Sequence, residues 1–141
     1  MMTEQCEHFI DELTRRTVQN EIDWKLLSQF SFEDNGFPDF VDNLWNVLNC
    51  NEFRWLLKKN SFFTFHKEGI IALLRIENES GFDSSKSTEY AIIVQMRPNS
   101  PEQDISRGYH QDALSILYMA VLDYLNKDTS LPGDLYDFMR F

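Results

Sequence analysis

Between Asn60 and Arg97 the chain reads as three consecutive strands punctuated by turn residues, with a long helical pattern on either side. Ser61 to Lys67 is rich in phenylalanine, with Phe62, Phe63 and Phe65. Lys67-Glu68-Gly69 follows, and Gly69 stands where a tight hairpin calls for positive φ. The run Ile70 to Ile76 is apolar on both faces of an extended chain, the mark of a central strand covered on both sides. A buried helix is the alternative, but the β-branched residues and the flanking glycine count against it. After the polar loop Ser80 to Ser87, the segment Thr88 to Arg97 alternates. Tyr90, Ile92, Val94 and Met96 lie on one face, Ala91 and Ile93 on the other. Connections this short favour an antiparallel meander. The expected fold is therefore α+β, a three- or four-stranded meander flanked by N-terminal and C-terminal helices in a single domain, 1–141.

The flanks carry helical signals. Phe9, Ile10, Leu13 and Val18 give a stripe from Thr3 to Gln19, with Thr3 as N-cap and Asn20 as the stop. Asp34-Asn35-Gly36 and Pro38 mark a loop. Phe40, Val41, Leu44, Trp45 and Leu48 share one helical face. Ser100, Pro101 and Gln103 have the spacing of a helical start. A broad apolar face built on Ala113, Leu114, Leu117, Tyr118, Val121, Tyr124 and Leu125, widened by Ile116 and Met119, predicts a long helix from about Tyr109 to Asn126, packed on the sheet. A turn at Leu131-Pro132-Gly133 and a last short helix begun by Asp134 are expected beyond it. For Ile22–Phe30 and Phe53–Leu57, periodicity does not choose between helical and extended.

A chain of 141 residues, 43% hydrophobic and carrying 12 Phe, can bury a core without disulfides or metal. Its net charge is -10, with the acid excess in the helical flanks. Such a surface repels phosphate backbones, so direct nucleic-acid binding is not expected. Ordinary solvation explains the acids. The sharper alternative is an acidic nucleic-acid mimic occupying a basic site on another protein. Cys6 and Cys50 form no CxxC pair, Met1 to Ile10 has no apolar signal core, and no apolar run approaches membrane-spanning length. The expected setting is the cytoplasm, with reduced thiols and no membrane contact.

Motifs for chemistry are missing. His8, His66 and His110 are scattered, with no metal-ligand spacing. No G-x-S-x-G, G-x-G-x-x-G or Walker-type loop occurs, and the glycines at 36, 69, 81, 108 and 133 suit turns. Cys6 and Cys50 each adjoin an apolar helix face, as structural thiols do. Glu77 and Glu79 share one strand face, but at its fraying end, where solvation accounts for them. Arg75 interrupts an apolar strand and requires a partner, for which Glu89 or Gln95 on the next strand are the candidates. Ser61 to His66 has the aromatics of a single-strand stacking platform without its basic surround, so a core strand is the better reading. Phe138-Met139-Arg140-Phe141 has the composition of a docking peptide, or of a tail packed on its own domain.

Several phrases carry a resemblance: Ile22-Asp23-Trp24, Asn60-Ser61-Phe62-Phe63, Gly69-Ile70-Ile71-Ala72-Leu73-Leu74-Arg75, Glu79-Ser80-Gly81 and Glu89-Tyr90-Ala91-Ile92-Ile93-Val94-Gln95. With a closing amphipathic helix, this pattern resembles a loose group of small uncharacterised bacterial α+β proteins, some carried on mobile elements. The resemblance rests on structural positions. It implies a bacterial cytosolic setting and brings no chemistry.

The sequence therefore leads to no expected catalytic residue, cofactor or metal. A non-catalytic binding or regulatory module acting through protein contacts is the first expectation. The alternative is a small-molecule binder with a pocket between the meander and the Tyr109–Asn126 helix, oriented by Arg75 or Tyr118. Arg75, Tyr118, Phe138 and Phe141 are thus the candidate ligand or partner contacts. A homodimer follows if Phe53–Phe63 forms an open edge strand.

Overall fold

The computed structural model describes residues 2–128. Helix α1 (Met2–Val18) is followed by the short strand β1 (Lys25–Leu26), 3-10 turns at Leu27–Gln29 and Glu33–Asn35, and helix α2 (Phe40–Val47). Then come β2 (Arg54–Leu56), a 3-10 turn at Lys58–Asn60, β3 (Phe62–His66), β4 (Gly69–Glu79), β5 (Lys86–Gln95), β6 (Gln103–Asp104) and helix α3 (Gln111–Asp128). The fold is α+β, with helices at both ends of an antiparallel sheet. Among the described residues six strands exceed the three or four expected. The additional ones are only two or three residues long, too short for a period-2 pattern to register.

Strand β4 is the axis of the sheet. It pairs with β5 over all but its first residue, Ile70 opposite Gln95 through to Glu79 opposite Lys86. Its other edge is shared: β3 covers Gly69–Leu73 and β2 covers Ile76–Asn78. β1 adds outside β3, and β6 outside β5. The β3–β4–β5 meander is thus present, extended by a short strand on each side. Ile22–Phe30 resolves into both alternatives, extended at β1 and then a 3-10 turn, while the middle of Phe53–Leu57 is extended as β2.

Alternation decides what each face meets. Ile70, Ala72, Leu74, Ile76, Ala91, Ile93 and Phe63 point to a layer made by α2 and the 27–37 segment, where Phe32, Phe37, Phe40, Leu44 and Leu48 are buried. Ile71, Leu73, Ile92 and Phe62 point to the opposite layer, where α1 gives Cys6, Ile10 and Leu13, and α3 gives Leu114, Leu117, Tyr118 and Val121. The run 70–76 is apolar on both faces because both are covered. Trp24 locks the second layer, its indole N–H donating to the Thr17 hydroxyl at 2.9 Å.

Several expectations change in detail. α1 already includes Met2, so Thr3 lies inside the helix instead of capping it. The segment around Gln103 pairs with β5 as β6 and begins no helix. Beyond β6 the β5 edge stays covered: the Ser106 hydroxyl accepts from the Ile92 N–H, and the Gln111 side chain both accepts from the Tyr90 N–H and donates to its carbonyl at 2.8 Å. In the β3–β4 hairpin, positive φ falls on Lys67 (55°), not on Gly69. Gly69 is required by closeness instead, since a Cβ there would come within 2.6 Å of the Met96 backbone. Phe53–Phe63 is not one edge strand. The 3-10 turn at Lys58–Asn60 divides it, and both parts pair with β4. The turn at 131–133, the helix expected from Asp134, and Phe138 and Phe141 lie outside the described residues.

Candidate functional site

A concavity of about 830 Å³ opens beside the outer edge of β5. The start of α1 (Gln5, Cys6, Phe9), the end of α2 (Val47, Leu48, Asn49) and the 103–110 segment form its walls, with Arg54 and Glu89 between them. None of its lining residues belongs to α3. The space between the sheet and α3, where a pocket was expected, is filled by buried Leu114, Leu117, Tyr118 and Val121. These side chains pack in one core layer with Ile71, Leu73 and Ile92 of the sheet.

The cleft's central charges are committed to one another. Arg54 lies on β2 and Glu89 on β5, diagonally across β4 on the face that meets α2. The guanidinium donates to both Glu89 carboxylate oxygens at 2.7 and 3.0 Å, and to Asn78 Oδ1 at 3.1 Å. Its Nε donates to the Leu48 carbonyl at 2.8 Å, satisfying the end of α2. The Arg54 guanidinium holds the Glu89 carboxyl below the usual carboxylate range. An arginine with its donors engaged in this way is a clamp between α2 and the sheet.

The 103–110 wall is held the same way. Asp104 Oδ1 accepts from the Ser106 N–H at 3.1 Å, its hydroxyl at 2.7 Å and the Arg107 N–H at 3.0 Å. The chain then turns through positive φ at Arg107, Gly108 and His110, and the His110 carbonyl accepts the Leu114 N–H that begins α3. Cys6 sits in the cleft, and burial, with a contribution from the Asp104 charge, pushes its thiol pKa up. A thiol so placed stays protonated near neutral pH and is a poor nucleophile. Burial likewise raises Cys50.

Of the residues singled out in the sequence, Arg75 and Tyr118 are brought together. The Arg75 guanidinium carbon lies 5.9 Å from the Tyr118 ring centre. The Tyr118 hydroxyl donates to the Asn60 carbonyl at 2.7 Å, and burial raises its pKa, with Arg75 partly offsetting this. Neither expected partner reaches Arg75. Glu89 is opposite Ile76, on the other face, and grips Arg54. The Gln95 amide donates to the Pro98 and Ser100 carbonyls. Among the described residues the buried Arg75 Nε–H has no acceptor and no carboxylate pairs with the guanidinium, which lies over the tyrosine face. His8 is in α1, His66 ends β3 and His110 precedes α3. Sequence reasoning missed the Arg54–Glu89 pair. The available signal was charge in register with apolar residues: Arg54 with Leu56, and Glu89 with Ala91 and Ile93.

The sequence matches no protein-family model and no curated protein, and the fold matches no solved structure. Among the described residues no helix is long and apolar enough to cross a membrane.

Proposed function

We propose that this chain is a non-catalytic module that works by contacting another protein, in a reducing, cytosolic setting. The carrying observation is a contrast between cleft and surface. In the cleft, Arg54, Glu89, Asp104 and Cys6 are engaged in holding the fold or kept neutral. Outside it, Phe82, Met96, Ile116 and Met119 are large apolar side chains left in solvent. Single exposed apolar residues are ordinary, but exposed aromatic and methionine side chains are the residue types that anchor interfaces. Two unpaired cysteines fit a reducing compartment. Affinity capture from the native host tests the reading. The tagged chain should recover a defined protein in near-stoichiometric amount, and recovery no better than from an unrelated acidic domain contradicts it.

The cleft favours a second reading, small-molecule binding, because its volume of about 830 Å³ is that of a ligand pocket. A metabolite that raises the melting temperature at millimolar concentration supports it. A screen with no stabilising compound removes it.

A further inference from the structure

We propose that the β4–β5 hairpin is a docking finger whose Phe82 side chain enters an apolar pocket, ringed by lysine or arginine, on a partner protein. The inference rests on the protein-contact reading and names the surface and the chemistry of its partner. Phe82 sits at the tip of the hairpin, fully exposed. The tip is nevertheless a built structure. The Ser80 hydroxyl accepts from the Phe82 N–H at 3.2 Å, Asp83 Oδ1 accepts from the Ser85 N–H at 3.0 Å, and the Ser80 N–H donates to the Ser85 carbonyl at 2.8 Å. The Ser84 N–H donates to the Ser80 carbonyl at 3.2 Å, with Ser84 at φ 58°. These bonds fix the backbone and none involves the phenyl ring. A preformed loop that presents an aromatic side chain loses little entropy on docking, and aromatic residues dominate binding hot spots.

The base of the finger is also aromatic. Phe53, half-exposed, lies about 3.9 Å from the position a Cβ on Gly81 would take, and its carbonyl accepts the Glu79 N–H at 2.8 Å. Glu52 adjoins Phe53 and Asp83 adjoins Phe82 in the chain, and Glu79 is tied by its N–H to Phe53; none of the three carboxylates has an ion pair among the described residues, since Lys86, opposite Glu79 in the ladder, lies 4.0 Å from Glu77. Three unmatched carboxylates around an apolar tip select a basic rim. They also oppose insertion into an anionic membrane surface, the other habitat of an exposed phenylalanine.

The test replaces Phe82 with photo-reactive benzoyl-phenylalanine in the full chain, expressed in the native host. Ile116 and Met96 are replaced separately in the same way. Irradiation at position 82 should give an adduct with one protein, at an apolar site flanked by Lys or Arg. That protein, purified, should bind Phe82→Ala about 30-fold more weakly than the unaltered chain, with affinity falling as salt rises. The melting temperature of Phe82→Ala should be unchanged, because the ring contributes no buried surface. Protein adducts at 116 or 96 but not at 82 overturn the finger and leave the protein-contact reading standing. No protein adduct at any position, together with failed capture, overturns both. An adduct of position 82 with lipid or with a second copy of this chain, or undiminished binding by Phe82→Ala, also overturns the finger.

Discussion

Arg54 holds Glu89 across the central strand with two hydrogen bonds of 2.7 and 3.0 Å, and with its third side it holds the last turn of α2 through the Leu48 carbonyl. The two side chains are 23% and 24% exposed, so water screens the pair only in part. Arg54→Ala leaves a largely buried carboxylate without its counter-ion and a helix end without its donor. It should destabilise the protein by about 2–3 kcal/mol in urea unfolding, below the 3–5 typical of a fully buried pair because of the remaining exposure. A loss under about 0.5 kcal/mol contradicts the clamp.

The same pair sets the response to acid. Arg54 lowers the Glu89 pKa from 4.5 in the folded state, so its contribution is complete above the unfolded value. As pH falls through the lower folded value the unfolded chain takes up more protons, and the contribution is lost. Glu89→Gln should lower stability at pH 7 and make its decline below about pH 5 shallower. Unfolding midpoints across that range check this, and an unchanged acid slope contradicts it.

The β3–β4 hairpin makes two predictions of opposite sign. Gly69→Ala drives a Cβ into the Gln95–Met96 backbone and should cost about 2–3 kcal/mol. Lys67→Gly relieves a positive φ of 55° and should stabilise by about 0.5–1 kcal/mol. Thermal unfolding of both variants is sufficient, and two changes of the same sign contradict the geometry.

Arg75 should prove dispensable. Among the described residues its Nε–H has no acceptor and its guanidinium has a tyrosine face in place of a counter-ion. Arg75→Met removes a cation–π contact and an unsatisfied donor together, so unfolding should shift by no more than about 1 kcal/mol. A loss beyond about 3 kcal/mol points to a carboxylate partner.

Cys6 should be silent toward thiol reagents in the folded protein. It is 8% exposed and its thiol is pushed up by burial. At pH 8, Ellman's reagent should modify it at the rate of global or local unfolding, and at once in urea. Rapid modification of folded Cys6 contradicts the assignment.

The central fold was legible where side-chain pattern and structure share a period. The two-sided run Ile70–Ile76 announced a covered strand, and the alternation from Tyr90 to Val94 announced its neighbour. β1, β2 and β6 were not legible, because two or three residues cannot show alternation and their pairing comes from the tertiary fold. The partner of Arg75 was misread for a simple reason. Glu89 is near it across the ladder but one register position away, and one position reverses the face. The cleft was invisible for a different reason, since its walls come from α1, α2 and the 103–110 segment, which are remote in sequence.

The most direct test of the protein-contact account is the sedimentation of the chain in undiluted lysate of its native host, compared with the purified protein. The account predicts a faster-sedimenting assembly in the lysate, heavier than whatever the purified 16.7 kDa chain forms alone. Identical sedimentation in both, at native expression level, would contradict it.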